Sequence, residues 1–275
     1  MKYSVIIGLS DNCCDIDRLV FVMKSIDEAM INAKTIRDLD YEIILSFMTN
    51  KESCPPYISN LARTIIVPYP LNGYFSNSIQ YNFGIRAAEG EYIIQTDIDV
   101  IWRYDLLINV ERILFEDPDA FIGCDFKFIH KEYSQYNDHI YKALVTGFVP
   151  DGWIKTQLAD CRAGWFYGNL QIYKKKYIEE AQGYDERMRC WGEWDNDWNL
   201  RLREQVQAYI LPQWSQYHLF HERRITNNYY DNFDKLQKQL HKFGRNDVRY
   251  KKNDENWGTV ESKYFKHPHY EDYPE

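Results

Sequence analysis

Tyr92-Ile93-Ile94-Gln95-Thr96-Asp97-Ile98-Asp99 is the stretch on which the fold turns. Its first five residues are aromatic, β-branched or flat amide side chains in one unbroken run, the pattern of a strand covered on both faces. Gly90 ends the segment before it, and two carboxylates follow where the apolar run stops. In open α/β sheets, ligands collect beyond the carboxyl ends of the strands. Alternate residues of an extended segment share a face, so Asp97 and Asp99 can both turn toward one Mg²⁺ or Mn²⁺ ion and the diphosphate it neutralises.

The same acidic spacing recurs at Asp15/Asp17, Asp38/Asp40, Asp117/Asp119 and Asp195/Asp197. Context separates them: the first reads as a helix N-cap and the next two as turns. Only Asp97/Asp99 follows a strongly apolar strand.

Outward from this stretch the chain alternates strand and helix. Upstream, Tyr3–Leu9, Tyr41–Phe47 and Thr64–Val67 read as strands, and Ile16–Ala33 carries apolar residues at three- and four-residue steps, one stripe of a helix. A helix from about Phe75 to Ala88 leads into the central strand. Downstream, Leu106–Phe115 reads as a helix, Ala120–Gly123 and Tyr167–Tyr173 as strands, Lys174–Ala181 and Glu193–Gln205 as helices. Strand, helix, strand implies an α/β fold with a mainly parallel sheet flanked by helices. Residues 130–163 have no clear period and read as a long loop or lid. Phe233, Leu236, Leu240 and Phe243 have helical spacing, so a small C-terminal helical extension is expected beyond residue 225.

Composition limits the function. The chain has 275 residues and a net charge of -8, which argues against a nucleic-acid binder held by clustered Lys and Arg. Its six cysteines show no C-x-x-C spacing, and a reducing cytoplasm is the simplest expected home. No run of about 18 apolar residues occurs, so membrane association is expected to be peripheral at most. With 23 Tyr and 8 Trp, the chain is rich in flat side chains that can stack on sugars or bases.

Two further features carry chemistry. From Gly183 to Trp198, acidic residues and Trp191, Trp194 and Trp198 interleave around two glycines at the start of a helix. Acidic groups at a helix start can be plain capping. A carboxylate among large apolar rings also acquires the raised pKa that suits a general base, and Asp195 is the candidate. Later, His218-Leu-Phe-His221 lies in an apparent strand. Residues three apart on a strand face opposite ways, so both histidines reach one ion only if the strand bends or ends there.

In this order, these features resemble the nucleotide-sugar glycosyltransferases of the GT-A fold, in particular family 2 enzymes and the galactosyltransferase and polypeptide N-acetylgalactosaminyltransferase group, with bacterial chondroitin-polymerase domains also similar. The resemblance spans roughly Tyr3 to Arg224 and rests on Asn82-Phe-Gly84, Asp97/Asp99, Gly168-Asn169, Gly183–Glu186, Trp191-Gly-Glu-Trp-Asp195 and the late histidines. It implies a GT-A, Rossmann-like mixed sheet. Residues 1–225 would be the catalytic domain, with 1–100 binding the nucleotide sugar and 101–225 the acceptor, and 226–275 the extension. It implies metal ligands at Asp97, Asp99 and His218 or His221, and a catalytic base at Asp195. Donor contacts fall on Asp11, Asn50, Asn82 and Asp97, and acceptor contacts on Gly168, Asn169, Trp191, Glu193 and Trp194.

The implied activity is transfer of a hexose or N-acetylhexosamine from a UDP-sugar to a hydroxyl of a glycan or other acceptor, with Mn²⁺ or Mg²⁺ as cofactor and inversion at the anomeric carbon. Three departures stand out: Trp194 replaces the usual acceptor-binding Glu, Tyr81 replaces an Arg before Asn82, and Phe47-Met-Thr-Asn50 lacks the acidic pair that holds uracil in many family 2 members. Two other readings are an inactive carbohydrate-binding protein on this fold and a sugar nucleotidyltransferase. The second would bring a Gly-rich, basic N-terminal loop, and Ser10-Asp-Asn-Cys-Cys has none.

Overall fold

The computed structural model describes residues 2–11, 15–70, 75–158, 170–188, 194–221 and 253–266. Nine strands among them form one sheet. In chain order these are β1 (Lys2–Ser10), β2 (Asp40–Met48), β3 (Arg63–Val67), β4 (Tyr92–Thr96), β5 (Val100–Ile101), β6 (Phe121–Ile129), β7 (Ile154–Leu158), β8 (Leu170–Lys174) and β9 (Ala208–His218). The sheet order is β3-β2-β1-β4-β8-β6-β9-β5, with β7 also paired to β6. Strands β3, β2, β1 and β4 run parallel, β8 is antiparallel to both β4 and β6, and β6 and β9 are again parallel.

Period-two alternation sorts side chains into two cores. On β1, Val5, Ile7 and Leu9 enter one core and Ile6 the other; on β4, Tyr92 and Ile94 enter the first and Ile93 the second. The first core is closed by helices α1 (Ile16–Ala33) and α4 (Leu106–Glu116), the second by α3 (Asn77–Ala87) and α7 (Trp194–Arg203). Between them in sequence lie the short α2 (Pro56–Ser59), α5 (Asp138–Thr146) and α6 (Lys175–Glu180). This is the three-layer α/β architecture expected from the sequence.

Helix starts follow the capping rule: Asp15, Ser76 and Asn137 each accept a hydrogen bond from the backbone N–H three residues on, at 3.2, 3.3 and 3.0 Å. Helix α3 lies so close to β1 that a Cβ on Gly84 would meet Ile6 Cγ2 at 2.6 Å, which explains the glycine in Asn82-Phe-Gly84. No helix among the described residues is long and apolar enough to cross a membrane.

One expectation changes. The region 130–163 is not a featureless lid: it contains α5, whose Ile140, Tyr141, Leu144 and Val145 are buried, and β7 on the sheet edge. The Asn137 cap and the 140/141/144/145 spacing were the available signal. The described part of the C-terminal region, 253–266 with its single turn α8 (Lys263–Lys266), packs onto α3 and the Gly183–Glu186 turn. The helical spacing at 233–243 lies outside the described residues.

Candidate active site

The site forms where β4 ends. Asp99 follows the strand by three residues, and its backbone carbonyl accepts from Leu219 N–H at 2.8 Å. Strand β5 pairs with β9 in the register Val100↔His218, which sets His218 beside Asp99. Strand β9 ends at His218, so the chain turns before His221 and both rings reach the same carboxylate. His218 Nε2 is 3.3 Å from Asp99 Oδ1, and His221 Nε2 is 3.2 Å from Oδ2. One ligand atom from each of the three residues lies within 4.8 Å of the others. The condition set by strand geometry, an ending strand, is met.

These residues fit a divalent cation. His218 Nδ1 lies 2.9 Å from the Leu219 carbonyl oxygen, which can only accept, so Nδ1 carries the proton and Nε2 turns a lone pair toward Asp99. Burial lowers the pKa of His218 against the opposing pull of Asp99, keeping the ring in its neutral, ligating form. Among the described residues, none donates a hydrogen bond to the buried Asp99 Oδ1. A carboxylate facing an imidazole lone pair in a buried place is an arrangement that a cation relieves. Phe128 packs on the His218 ring with centroids 4.6 Å apart and limits its rotation.

Asp97 lies beside this group rather than within it. Tyr81 on α3 places its hydroxyl 2.8 Å from Asp97 Oδ1 and 3.0 Å from the Thr96 carbonyl oxygen. Burial, then repulsion from Asp99, raises the Asp97 carboxyl to about 8, with Asp195 adding repulsion and the Tyr81 hydroxyl opposing the rise. Three carboxylates thus act on one region, Asp195 doing so from the first turn of α7. A bound cation would pull such a raised carboxyl back down.

Trp194 sits under the site. It is 4% exposed, stacked on Tyr81 at 5.1 Å and 18° and edge-on to Tyr184 at 5.0 Å. Its ring is therefore spent in the core, where it supports the helix start that carries Asp195, and it is not available as a sugar platform. Trp198, at 1% exposure, is likewise a core residue, against Tyr173 and Tyr184.

Asn82 also does other work than expected. It is fully buried; its Nδ2 donates to the Tyr184 carbonyl at 2.9 Å and to Glu186 Oε1 at 3.0 Å, and its Oδ1 accepts from Tyr184 N–H at 2.8 Å. It clamps the Gly183–Glu186 turn to α3. Asn253 completes the clamp, its Oδ1 accepting from Glu186 N–H at 3.0 Å and its Nδ2 donating to the Gln182 and Tyr184 carbonyls at 2.7 and 2.6 Å.

Farther along the parallel strands, Asp11 follows β1 directly. Its carboxylate accepts from Thr49 Oγ1 at 3.0 Å and from Tyr69 Oη at 2.8 Å, so the ends of β1, β2 and β3 meet on one side chain. Asn50 is exposed next to Thr49. Thr49 and Tyr69 were not singled out in sequence, and Tyr81 stood out only as a substitution before Asn82. Hydroxyl side chains at strand and helix ends are too common to stand out without the fold. Gly168, Asn169, Trp191 and Glu193 lie outside the described residues.

Fold and site together define a class: the chain has the GT-A fold of the nucleotide-sugar glycosyltransferases. Among curated proteins it is similar to chondroitin synthase of Escherichia coli, 24% identical over 226 aligned residues that cover 68% of this chain and 32% of that protein. Thus the chain spans well under half of that relative. Among solved structures, S. aureus TarS in complex with UDP-GlcNAc aligns with a TM-score of 0.58 at 12% identity, covering 88% of this chain and 67% of that one. The mannosyltransferase PcManGT of Pyrobaculum calidifontis, in complex with GDP-Man and Mn²⁺, aligns with 0.51 at 15% identity over 81% and 58% of the two chains. The catalytic domain of Drosophila β1,4-galactosyltransferase 7, in complex with xylobiose, gives 0.50 at 14% over 90% and 83%. No protein-family model matches.

Proposed function

We propose that this chain is a glycosyltransferase that moves a hexose or N-acetylhexosamine from a UDP-sugar to an acceptor hydroxyl, with inversion, Asp195 acting as general base. The observation that carries the reading is the Asp99, His218 and His221 cluster at the end of β4, on the edge where this fold binds ligands. Solved neighbours with UDP-GlcNAc, or with GDP-Man and Mn²⁺, support a nucleotide-sugar donor.

Asp99, His218 and His221 would hold Mn²⁺ or Mg²⁺, which when bound supplies positive charge against a departing diphosphate. Mixed oxygen and imidazole ligation favours Mn²⁺ over Mg²⁺. Asp97 faces the donor beside the cluster. Asp195 takes the proton of the acceptor hydroxyl as that oxygen attacks the anomeric carbon; the sugar–phosphate bond breaks, and UDP leaves with the electron pair. Asp11, held in place by Thr49 and Tyr69, and the exposed Asn50 would face the nucleoside. In this reading residues 1–100 form the donor half and 101–225 the acceptor half, and a glycan is the acceptor class.

Melting temperature measured against a series of nucleotide sugars, with Mn²⁺, Mg²⁺ or chelator, tests this directly. A ligand that binds only the folded chain raises the midpoint, by roughly 2.7 kcal/mol of stability at 100 times its Kd. A Mn²⁺-dependent rise with UDP-sugars, accompanied by slow UDP release, is expected. No response to any nucleotide sugar with either cation would overturn the proposal and favour a carbohydrate-binding protein. Pyrophosphate release from a nucleoside triphosphate and a sugar phosphate would favour the nucleotidyltransferase.

A further inference from the structure

We infer that Tyr81 is a positioning residue that locks the donor-side carboxylate Asp97 and the start of the acceptor-side helix α7 into one register. The inference rests on the transferase reading above. The resemblance implied an Arg before Asn82, and Tyr81 stands there with a neutral hydroxyl on an aromatic ring.

The hydroxyl is committed to the donor side. At 1% exposure it has the Thr96 carbonyl at 3.0 Å and Asp97 Oδ1 at 2.8 Å as acceptors. A Phe or Leu would fill the same space, so packing alone does not call for a buried hydroxyl, which is unfavourable to bury without a partner. With Oδ1 held by Tyr81, the orientation of the Asp97 carboxylate is fixed, and Oδ2 is the oxygen left to face a ligand.

The ring is committed to the acceptor side. It stacks on Trp194 at 5.1 Å and 18°, and Tyr184 closes the trio edge-on, 6.4 Å from Tyr81 and 5.0 Å from Trp194. Trp194 is the first residue of α7, and Asp195 is the second. One side chain therefore touches the residue that grips the donor side and the residue that seats the proposed base. The distance between two reacting groups is what such contacts fix, and small misplacements reduce turnover steeply.

The test uses the full chain and calorimetric binding of UDP in the presence of Mn²⁺, alongside turnover. Tyr81→Phe keeps the ring and should raise the Kd for UDP with Mn²⁺ about tenfold, the scale of a hydrogen bond to a charged group, with the melting temperature little changed. Adding it to Asp97→Asn should cause no further loss, because both act through one contact. Trp194→Leu keeps the hydroxyl and should lower kcat with UDP affinity largely retained. Equal UDP binding by Tyr81→Phe and the native chain overturns the inference, as does additivity with Asp97→Asn. A Tyr81→Phe chain that fails to fold would assign the hydroxyl to the fold and overturn it too. If the native chain itself binds no UDP with any cation, the transferase reading fails instead.

Discussion

Val100 and His218 face each other across the β5–β9 ladder, and this one pairing delivers an imidazole to the carboxylate at the end of the central strand. The two residues are 118 positions apart, yet Leu219 N–H to Asp99 carbonyl at 2.8 Å locks the register from the next residue along. A one-residue slip would turn the His218 ring to the other face of the sheet.

Removal of His218 or His221 by substitution to Ala, or of Asp99 by substitution to Asn, should abolish most cation binding. Changing a group that only orients a ligand loses about 10–100-fold in metal affinity, so loss of a ligand itself should reach at least the upper end. Titration of Mn²⁺ followed by calorimetry checks this. His221→Ala should be the milder of the two histidine variants, because its side chain is 33% exposed and a water can take the place of its nitrogen, whereas His218 is buried against Phe128. Unchanged Mn²⁺ affinity in the His218 variant would remove the cation site from this cluster.

Asp195→Asn should lower kcat by about 10²-fold or more and leave UDP binding near native, since the amide keeps the shape but cannot accept a proton. Single-turnover measurement with a saturating donor separates the two. A variant that turns over at the native rate would remove Asp195 from the role of base.

Strand–helix alternation and burial on both faces were plain in the sequence, so β1, α1 and β4 could be placed from apolar spacing alone. The Asp97/Asp99 pair was legible because a sharp polarity change marks the end of a buried strand. How the pair divides its work was not legible: Asp99 joins the histidines and Asp97 joins Tyr81, a split decided by the β5–β9 register and by α3. Aromatic density misled in another way. Trp194 stood among the expected acceptor contacts, but a ring that can stack on a sugar can equally stack on Tyr81, and only tertiary packing decides. Asn82 belonged to a motif whose form suggested ligand contact, and its amide turns out to hold a backbone turn.

Stability should carry a pH signature from Glu186. Burial raises this carboxyl from 4.5 to about 7, opposed by donors from Ser262, Gly258 and Asn82. Between those two pH values the folded chain holds more protons than the unfolded one, so stability falls as pH rises and levels off above the folded value. The full change is on the order of 3 kcal/mol. Glu186→Gln has the shape of the protonated acid and can donate to Ser262, so its melting temperature should stay flatter between pH 5 and 8 and match or exceed the native value at pH 8. An identical pH slope in the variant would show that Glu186 is not the group responsible.

Gly183→Ala should be among the more damaging single-methyl additions. Gly183 has φ of +84°, a region that costs a side chain about 1 kcal/mol or more, and the new Cβ would meet Trp257 Cε3 at 2.5 Å and Asn82 Oδ1 at 2.7 Å. Both neighbours belong to the clamp that fastens residues 253–258 to α3, and Arg201 also donates to the Gly183 carbonyl at 3.1 Å from within α7. The substitution therefore strains the turn and loosens the seat of Asp195 together. The expected result is a lower melting temperature and a lower kcat, with Mn²⁺ affinity unchanged because Asp99, between β4 and β5, and His218 and His221, at and just beyond the end of β9, do not depend on this turn. A loss of Mn²⁺ binding equal to the loss of kcat, in protein shown to be folded, would mean that the two halves of the site are not separately supported.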